Sequence, residues 1–202
     1  MSDIRRTLRG VANDLWGAPV QKAAPATPET DKTDKTINQA APAEPAFEEI
    51  WKAVDDAIDW TALLADGGEA SPLAPLAGRV LAGETAAYEA ALQALQPLSD
   101  LSGYCTDCAV TVVDADTLQA AYRAAFSADN RRLACGLALR IARDLLAALP
   151  VFTVQVHATY EGGAVLDAAY TRDALRGIRV NVVDPEAVTA ACGTWTNAMQ
   201  GE

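Results

Sequence analysis

Residues 128–172 read ADNRRLACGLALRIARDLLAALPVFTVQVHATYEGGAVLDAAYTR, and this stretch decides the fold. Its first half repeats Leu133, Leu137, Ile141, Leu145 and Leu149 at every fourth position, with Ala138, Ala142 and Leu146 widening the stripe. Apolar residues at that spacing line one face of an α-helix. The pattern predicts a helix over about 128–149, central to the core and ended by Pro150. After the proline the period changes to two. Phe152, Val154, Val156, Ala158 and Tyr160 alternate with Thr153, Gln155, His157 and Thr159, and Ala164, Leu166, Ala168 and Tyr170 continue the alternation. These are two strands, 151–160 and 164–172, joined by Glu161-Gly162-Gly163, whose glycines supply the positive φ of a tight turn. A slip of one residue would set apolar faces against polar ones, so the pattern selects one register. That register pairs Ala158 with Leu166 and Val156 with Ala168, and it sets His157 opposite Asp167 on the polar face.

On the N-terminal side, residues 109–113 (AVTVV) read as a strand. Asp116 resembles an N-cap with Gln119 at the reciprocal capping position, which predicts a helix through Tyr122 and Phe126. Further back, Tyr88, Leu92 and Leu95 mark a helix over about 84–95 that Pro97 ends. A break at DGGEASPLAPLAG precedes it. The stretch FEEIWKAVDDAIDWTALLA, from Phe47, puts Ile50, Trp51, Val54 and Ile58 on helical spacing, with an acidic opposite face. On the C-terminal side, Asp184-Pro185 is a cap and first-turn pair for a helix through Trp195.

Residues 18–46 contain five prolines and two branched aliphatics, and cannot bury enough apolar area to offset the entropy of ordering. They read as a disordered linker. Residues 1–17 read as an amphipathic helix with Ile4, Leu8, Val11, Leu15 and Trp16 on one stripe, a candidate surface for docking on a partner groove or a membrane surface. The simpler reading is a frayed terminus. The expected fold class is therefore α+β: helices packed on a small, mainly antiparallel sheet, behind a disordered N-terminal linker. The domain spans 47–202, with a helical part at 47–100 and a sheet-containing part at 101–202.

The net charge of −11 is uneven. Residues 1–46 hold six basic and six acidic side chains, which leaves 10 basic and 21 acidic groups on residues 47–202. Nucleic-acid binding needs Lys and Arg to displace counterions, so an acidic body argues against it and fits a basic protein partner or simple solubility better. No apolar run is long enough for a membrane span, and no signal peptide is apparent, so the cytoplasm is the expected compartment.

The segments FEEIWKAVDDAIDWTALL, PLAGRVLAGETAAYEAALQALQPLSDL, LALRIARDLLAALPVFTVQVHA, AVLDAAYTRDAL and VDPEAVTAACGTW together resemble the C-terminal region of a family of uncharacterised bacterial proteins, a domain of unknown function. The resemblance covers about residues 47–198. Its most specific part is the leucine-rich helix ending in LPV, followed by a Val-X-Val-His-Ala strand. Relative to that family the chain looks shorter around 113–125 and at the 161–163 turn. The resemblance implies one continuous domain and brings no activity, cofactor or catalytic residue.

Three constellations could carry chemistry. Cys105 and Cys108 form a single CxxC, a candidate redox or zinc site. Zinc would need two further ligands, and Cys135, Cys192 and His157 are scattered. A thioredoxin-like centre places its CxxC at the start of a helix, whereas here a strand follows. His157 with Asp167 is a His–carboxylate pair and a candidate catalytic site, but no nucleophile motif accompanies it, and a cross-strand polar pair is the simpler reading. Asp114 and Asp116 suggest a metal site less well than a cap and turn. Phosphate-binding glycine motifs are absent. The sequence thus leads to the expectation of a non-catalytic protein-interaction or assembly domain without a cofactor. A small enzyme at His157 and Asp167 is the alternative, and a Cys105/Cys108 module is a weaker one.

Overall fold

The central element is an 18-residue helix, Arg131–Ala148, in a computed structural model that describes residues 47–52, 56–65, 71–179 and 181–197. Asn130 caps its start, accepting from the Leu133 amide at 3.1 Å. The leucine stripe is buried as the spacing predicts. So is Leu139, which lies off that stripe, because the helix is covered on more than one side. The sheet lies along one side. A 3-10 turn at Phe47–Lys52 and a helix at Pro185–Cys192 pack elsewhere along it. Such close approach requires small residues. A Cβ on Gly136 would stand 2.6 Å from Cε3 of Trp51, whose ring is buried against the helix.

In chain order the helices are α1 (Trp60–Ala65), α2 (Ala74–Leu81), α3 (Thr85–Leu95), α4 (Arg131–Ala148), α5 (Arg172–Leu175) and α6 (Pro185–Cys192). The strands are β1 (Cys105–Val112), β2 (Thr117–Ser127), β3 (Thr153–Glu161), β4 (Ala164–Thr171) and β5 (Gly193–Asn197). They form one sheet in the order β1-β2-β3-β4-β5. Only β2 and β3 run parallel, and α4 is the crossover between them, as parallel neighbours require. The α+β class with a mainly antiparallel sheet is thus what the chain adopts. Residues from Phe47 onward make one compact unit.

The carbonyls at the C-terminal end of a helix lack partners within it, and buried ones must find others. Here each finds one from a distant segment. Arg172 donates to the Leu146 and Leu149 carbonyls at 2.7 and 2.9 Å, and also to Val151. The Ile58 amide donates to Ala147 O, and Trp60 Nε1 to Ala148 O, both at 2.9 Å. These bonds tie α1 and the end of the β4 strand to one point of the core.

The hairpin adopts the expected register, with Ala158 opposite Leu166 and His157 opposite Asp167. Gly162 and Gly163 turn it at φ 82° and 80°. Phe152, expected on the apolar face, precedes β3 and is 45% exposed.

Five other expectations are corrected. The segment after Asp116 is not a helix but β2, an interior strand. Leu118, Ala120, Tyr122 and Ala124 alternate inward, and pairing on both edges outweighs the helix preference of its alanines. Asp116 does not cap a helix. Its amide donates to the Asp114 carboxylate at 2.8 Å, and Val113 N bonds Thr117 O, so Asp-Ala-Asp forms the β1–β2 turn. The last helix stops at Cys192, and Trp195 lies on β5, its ring 5.4 Å from that of Tyr160. The helix expected from Phe47 is a 3-10 turn followed, after an interval, by α1. The break before residue 84 contains α2. The N-terminal calls, Ile4, Leu8, Val11, Leu15 and Trp16 and the 18–46 linker, lie outside the described residues. Among the described residues no helix is long and apolar enough to cross a membrane.

Candidate functional site

Three places bring reactive or open features together. The first is the outer face of the sheet. Its helix-facing side is buried, whereas the other side is polar and open, as antiparallel sheets permit. Gln119, Arg123, Gln155, Thr194 and Thr196 are exposed on it. His157 Nδ1 lies 2.6 Å from Asp167 Oδ1, with the two side chains 44% and 55% exposed. Sheet register fixes what flanks the pair. Ala121 of β2 stands opposite His157, and Thr194 of β5 stands opposite Asp167. The position beside the imidazole that a nucleophile would take is thus a methyl group. His157 and Asp167 are brought together as a cross-strand polar pair, half-exposed among the described residues.

The second place is β1. Cys105 and Cys108 both belong to this strand, which therefore starts earlier than the expected 109–113. Three residues apart on a regular strand, two side chains point to opposite faces. Here the pairing with β2 shifts between Thr106 and Ala109, so that Asp107 and Cys108 together oppose one residue of β2. Asp107 takes up the extra residue at φ 53°, left-handed backbone that aspartate tolerates better than most side chains. The bulge restores parity. Cys105 opposite Ala124 and Val110 opposite Ala120 face the helices, and Cys108, two residues before Val110, shares their side.

Cys105 is buried and its thiol donates to the Leu101 carbonyl at 3.4 Å, while Cys108 is exposed. The two thiols interact. The neighbouring Cys105 thiol lowers the Cys108 pKa from the ordinary cysteine value, and burial acts against it. The same interaction, and then burial, pushes the Cys105 thiol up. Cys135, buried on α4, is also pushed up by burial. Among the described residues no three His, Cys, Asp or Glu side chains stand together as a metal site.

The third place was not foreseen. A groove of about 630 Å³ runs between α3 and β1, lined by Glu89, Leu92 and Gln93 of α3, by residues 96–99, and by Cys108, Val110, Thr111 and Val112. Tyr88 holds α3 to the sheet, its hydroxyl donating to the Ala115 carbonyl of the β1–β2 turn at 3.0 Å. Gln96, left-handed at φ 46°, and Pro97 then carry the chain away from the helix. Val110 and Val112 face the helices and Thr111 the other side, so the groove opens around the backbone edge of β1. That edge is a terminal one in the sheet. Its only sequence signal is the pairing of Leu92 with an alternating strand, which carries no information about spacing.

A polar cluster with two buried members, Arg140 and Asp144, ties α4 to a half-exposed Asp100. Arg140 pairs with Asp144 one turn along α4 and with Asp100 at 3.1 Å, joining the helix to the 3-10 turn Ser99–Leu101. Removing one member of such a group strands the other's charge in the core, so its role is structural. Comparison of the chain with family models, curated proteins and solved structures finds no match.

Proposed function

We propose that this domain is a non-catalytic protein-interaction module that receives an extended, basic segment of a partner along the free edge of β1. The observation that supports it is the groove between α3 and β1, which among the described residues lies at the outer edge of the terminal strand and is walled by Leu92, Val110 and Val112. An edge strand beside a partly apolar groove suits strand addition. The main chain supplies hydrogen bonds, and alternate side chains enter the groove. The charge of the partner follows from the domain. Residues 47–202 carry the whole net charge of −11, and Glu89 is the charged group of the lining. Complementary charge raises the rate of encounter and suppresses acidic competitors. The four cysteines, all unpaired, suit a cytoplasmic setting.

The test is selection of peptides from a random library on the immobilised full-length chain. The reading expects enrichment of Lys- and Arg-containing peptides with alternating β-branched residues, whose binding weakens with salt and drops at least several-fold in Glu89→Lys. Selected peptides without positive charge, or binding unchanged by Glu89→Lys, would overturn it.

A further inference from the structure

We propose that Cys105 and Cys108 are a thiol–disulfide redox site, with Cys108 as the attacking thiolate and Cys105 as the resolving thiol. The site does not depend on what the neighbouring groove binds. The geometry rests on the bulge. Without it, residues three apart would sit about 10 Å apart on opposite faces. With the extra residue taken up at Asp107, the two cysteines are two sheet rungs apart on one face, a Cα separation of about 6.6 Å. Disulfides span Cα separations of roughly 4.4–6.8 Å. The separation falls inside that range, at its upper end.

The environments of the two sulfurs divide the roles. Cys108 is exposed and lines an open groove, where a small disulfide has access. Cys105 is buried beneath it, bonded to Leu101 O, and out of reach of solvent. The shift at Cys108 is toward its thiolate and that at Cys105 toward its thiol, which agrees with the roles that exposure and burial give them. This pairing of an exposed, acidic thiol with a resolving partner is what redox-sensing cysteines require.

The oxidant is a low-molecular-weight disulfide, RSSR. The Cys108 thiolate attacks one of its sulfurs, the S–S bond of RSSR breaks, and RS⁻ leaves. Cys108 is then joined to SR. Cys105 yields its proton to the released thiolate, and its sulfur attacks that of Cys108. The bond to SR breaks and a second RS⁻ leaves. Two electrons pass from the protein dithiol to RSSR, giving the Cys105–Cys108 disulfide, one RSH and one RS⁻.

The experiment uses the full chain, reduced, freed of reductant and incubated with glutathione disulfide, then blocked with N-ethylmaleimide and mapped by peptide mass spectrometry. The expected product is one Cys105–Cys108 disulfide, with Cys135 still a thiol. Cys105→Ser is expected to stop at a glutathione adduct on Cys108, and Cys108→Ser to leave Cys105 unmodified on the same timescale. A wild-type chain in which Cys108 stays a thiol, or ends as a lasting glutathione adduct, overturns the proposal. So does oxidation of Cys105 at an unchanged rate in Cys108→Ser.

Discussion

Arg172, the first residue after β4, places its guanidinium 2.7 Å from the carbonyl oxygen of Leu146, 26 residues earlier, and so caps the helix on which the core is built. The same side chain reaches Leu149 and Val151. A cation at the C-terminal end also opposes the helix dipole. Arg172→Ala leaves several inward carbonyls without a donor and is expected to cost roughly 2–4 kcal/mol, measured by urea denaturation. Arg172→Lys should recover only part, because an ammonium cannot reproduce the planar fork. Equal stability of Arg172→Lys and the wild type would contradict the capping role.

Gly136 sits in the interior of α4, where alanine is normally better by about 1 kcal/mol. Against that gain stands the ring of Trp51, 2.6 Å from the position the added methyl would occupy. Overpacking costs about 1–3 kcal/mol, so the clash decides the sign. Gly136→Ala is expected to destabilise the protein and to shift its tryptophan emission as Trp51 is displaced. In a Trp51→Leu background the penalty should shrink, a coupling that a double-mutant cycle reads directly.

The pair His157–Asp167 joins two half-exposed groups, and solvent screens it. Asp167→Asn is therefore expected to change stability by less than about 1 kcal/mol. A thermal melt displaced by more than ten degrees would show that the face is covered by something and that the pair is not simply solvated.

Cysteine reactivity should follow the environments of the thiols. Cys108 is expected to react with iodoacetamide first, while Cys105 and Cys135 wait for unfolding. Alkylation needs the thiolate, so its rate falls as pH drops through the pKa. Because Cys105 lowers the pKa of Cys108, that fall should occur below the ordinary cysteine range of about 8.5. Cys105→Ala removes the neighbouring thiol and should move the midpoint of the rate profile upward.

Asp107 carries the bulge at positive φ. A β-branched residue is strained there, and Asp107→Val is expected to cost about 1–2 kcal/mol and to slow closure of the Cys105–Cys108 bond. Asp107→Gly should keep both stability and closure. If the valine variant closes the bond as fast as the glycine variant, the bulge is not what brings the sulfurs together.

Much of the core was legible in the chain alone. Leu133 to Leu149 at every fourth position belong to α4, and the two alternating segments around Gly162-Gly163 define a hairpin with one register, because any slip would bury threonine and expose valine. These are local patterns whose period matches the geometry of one element, and they also set His157 beside Asp167. Other features were decided by tertiary structure. TLQAAYRAAFS satisfies a period of two through Leu118, Ala120 and Tyr122, yet its alanines also favour a helix. Only a place between β1 and β3 made it a strand. Trp195 became a strand residue because Gly193 lets β5 approach β4 so closely that a Cβ there would lie 2.2 Å from the Asp167 carbonyl. Cys105 and Cys108 share a face only because β2 imposes a register that leaves Asp107 over. A sequence determines by itself whatever depends on neighbours along the chain. Which strand lies at the end of the sheet, which side of a strand two cysteines occupy and which carbonyl an arginine reaches are settled by residues that meet only in the folded core.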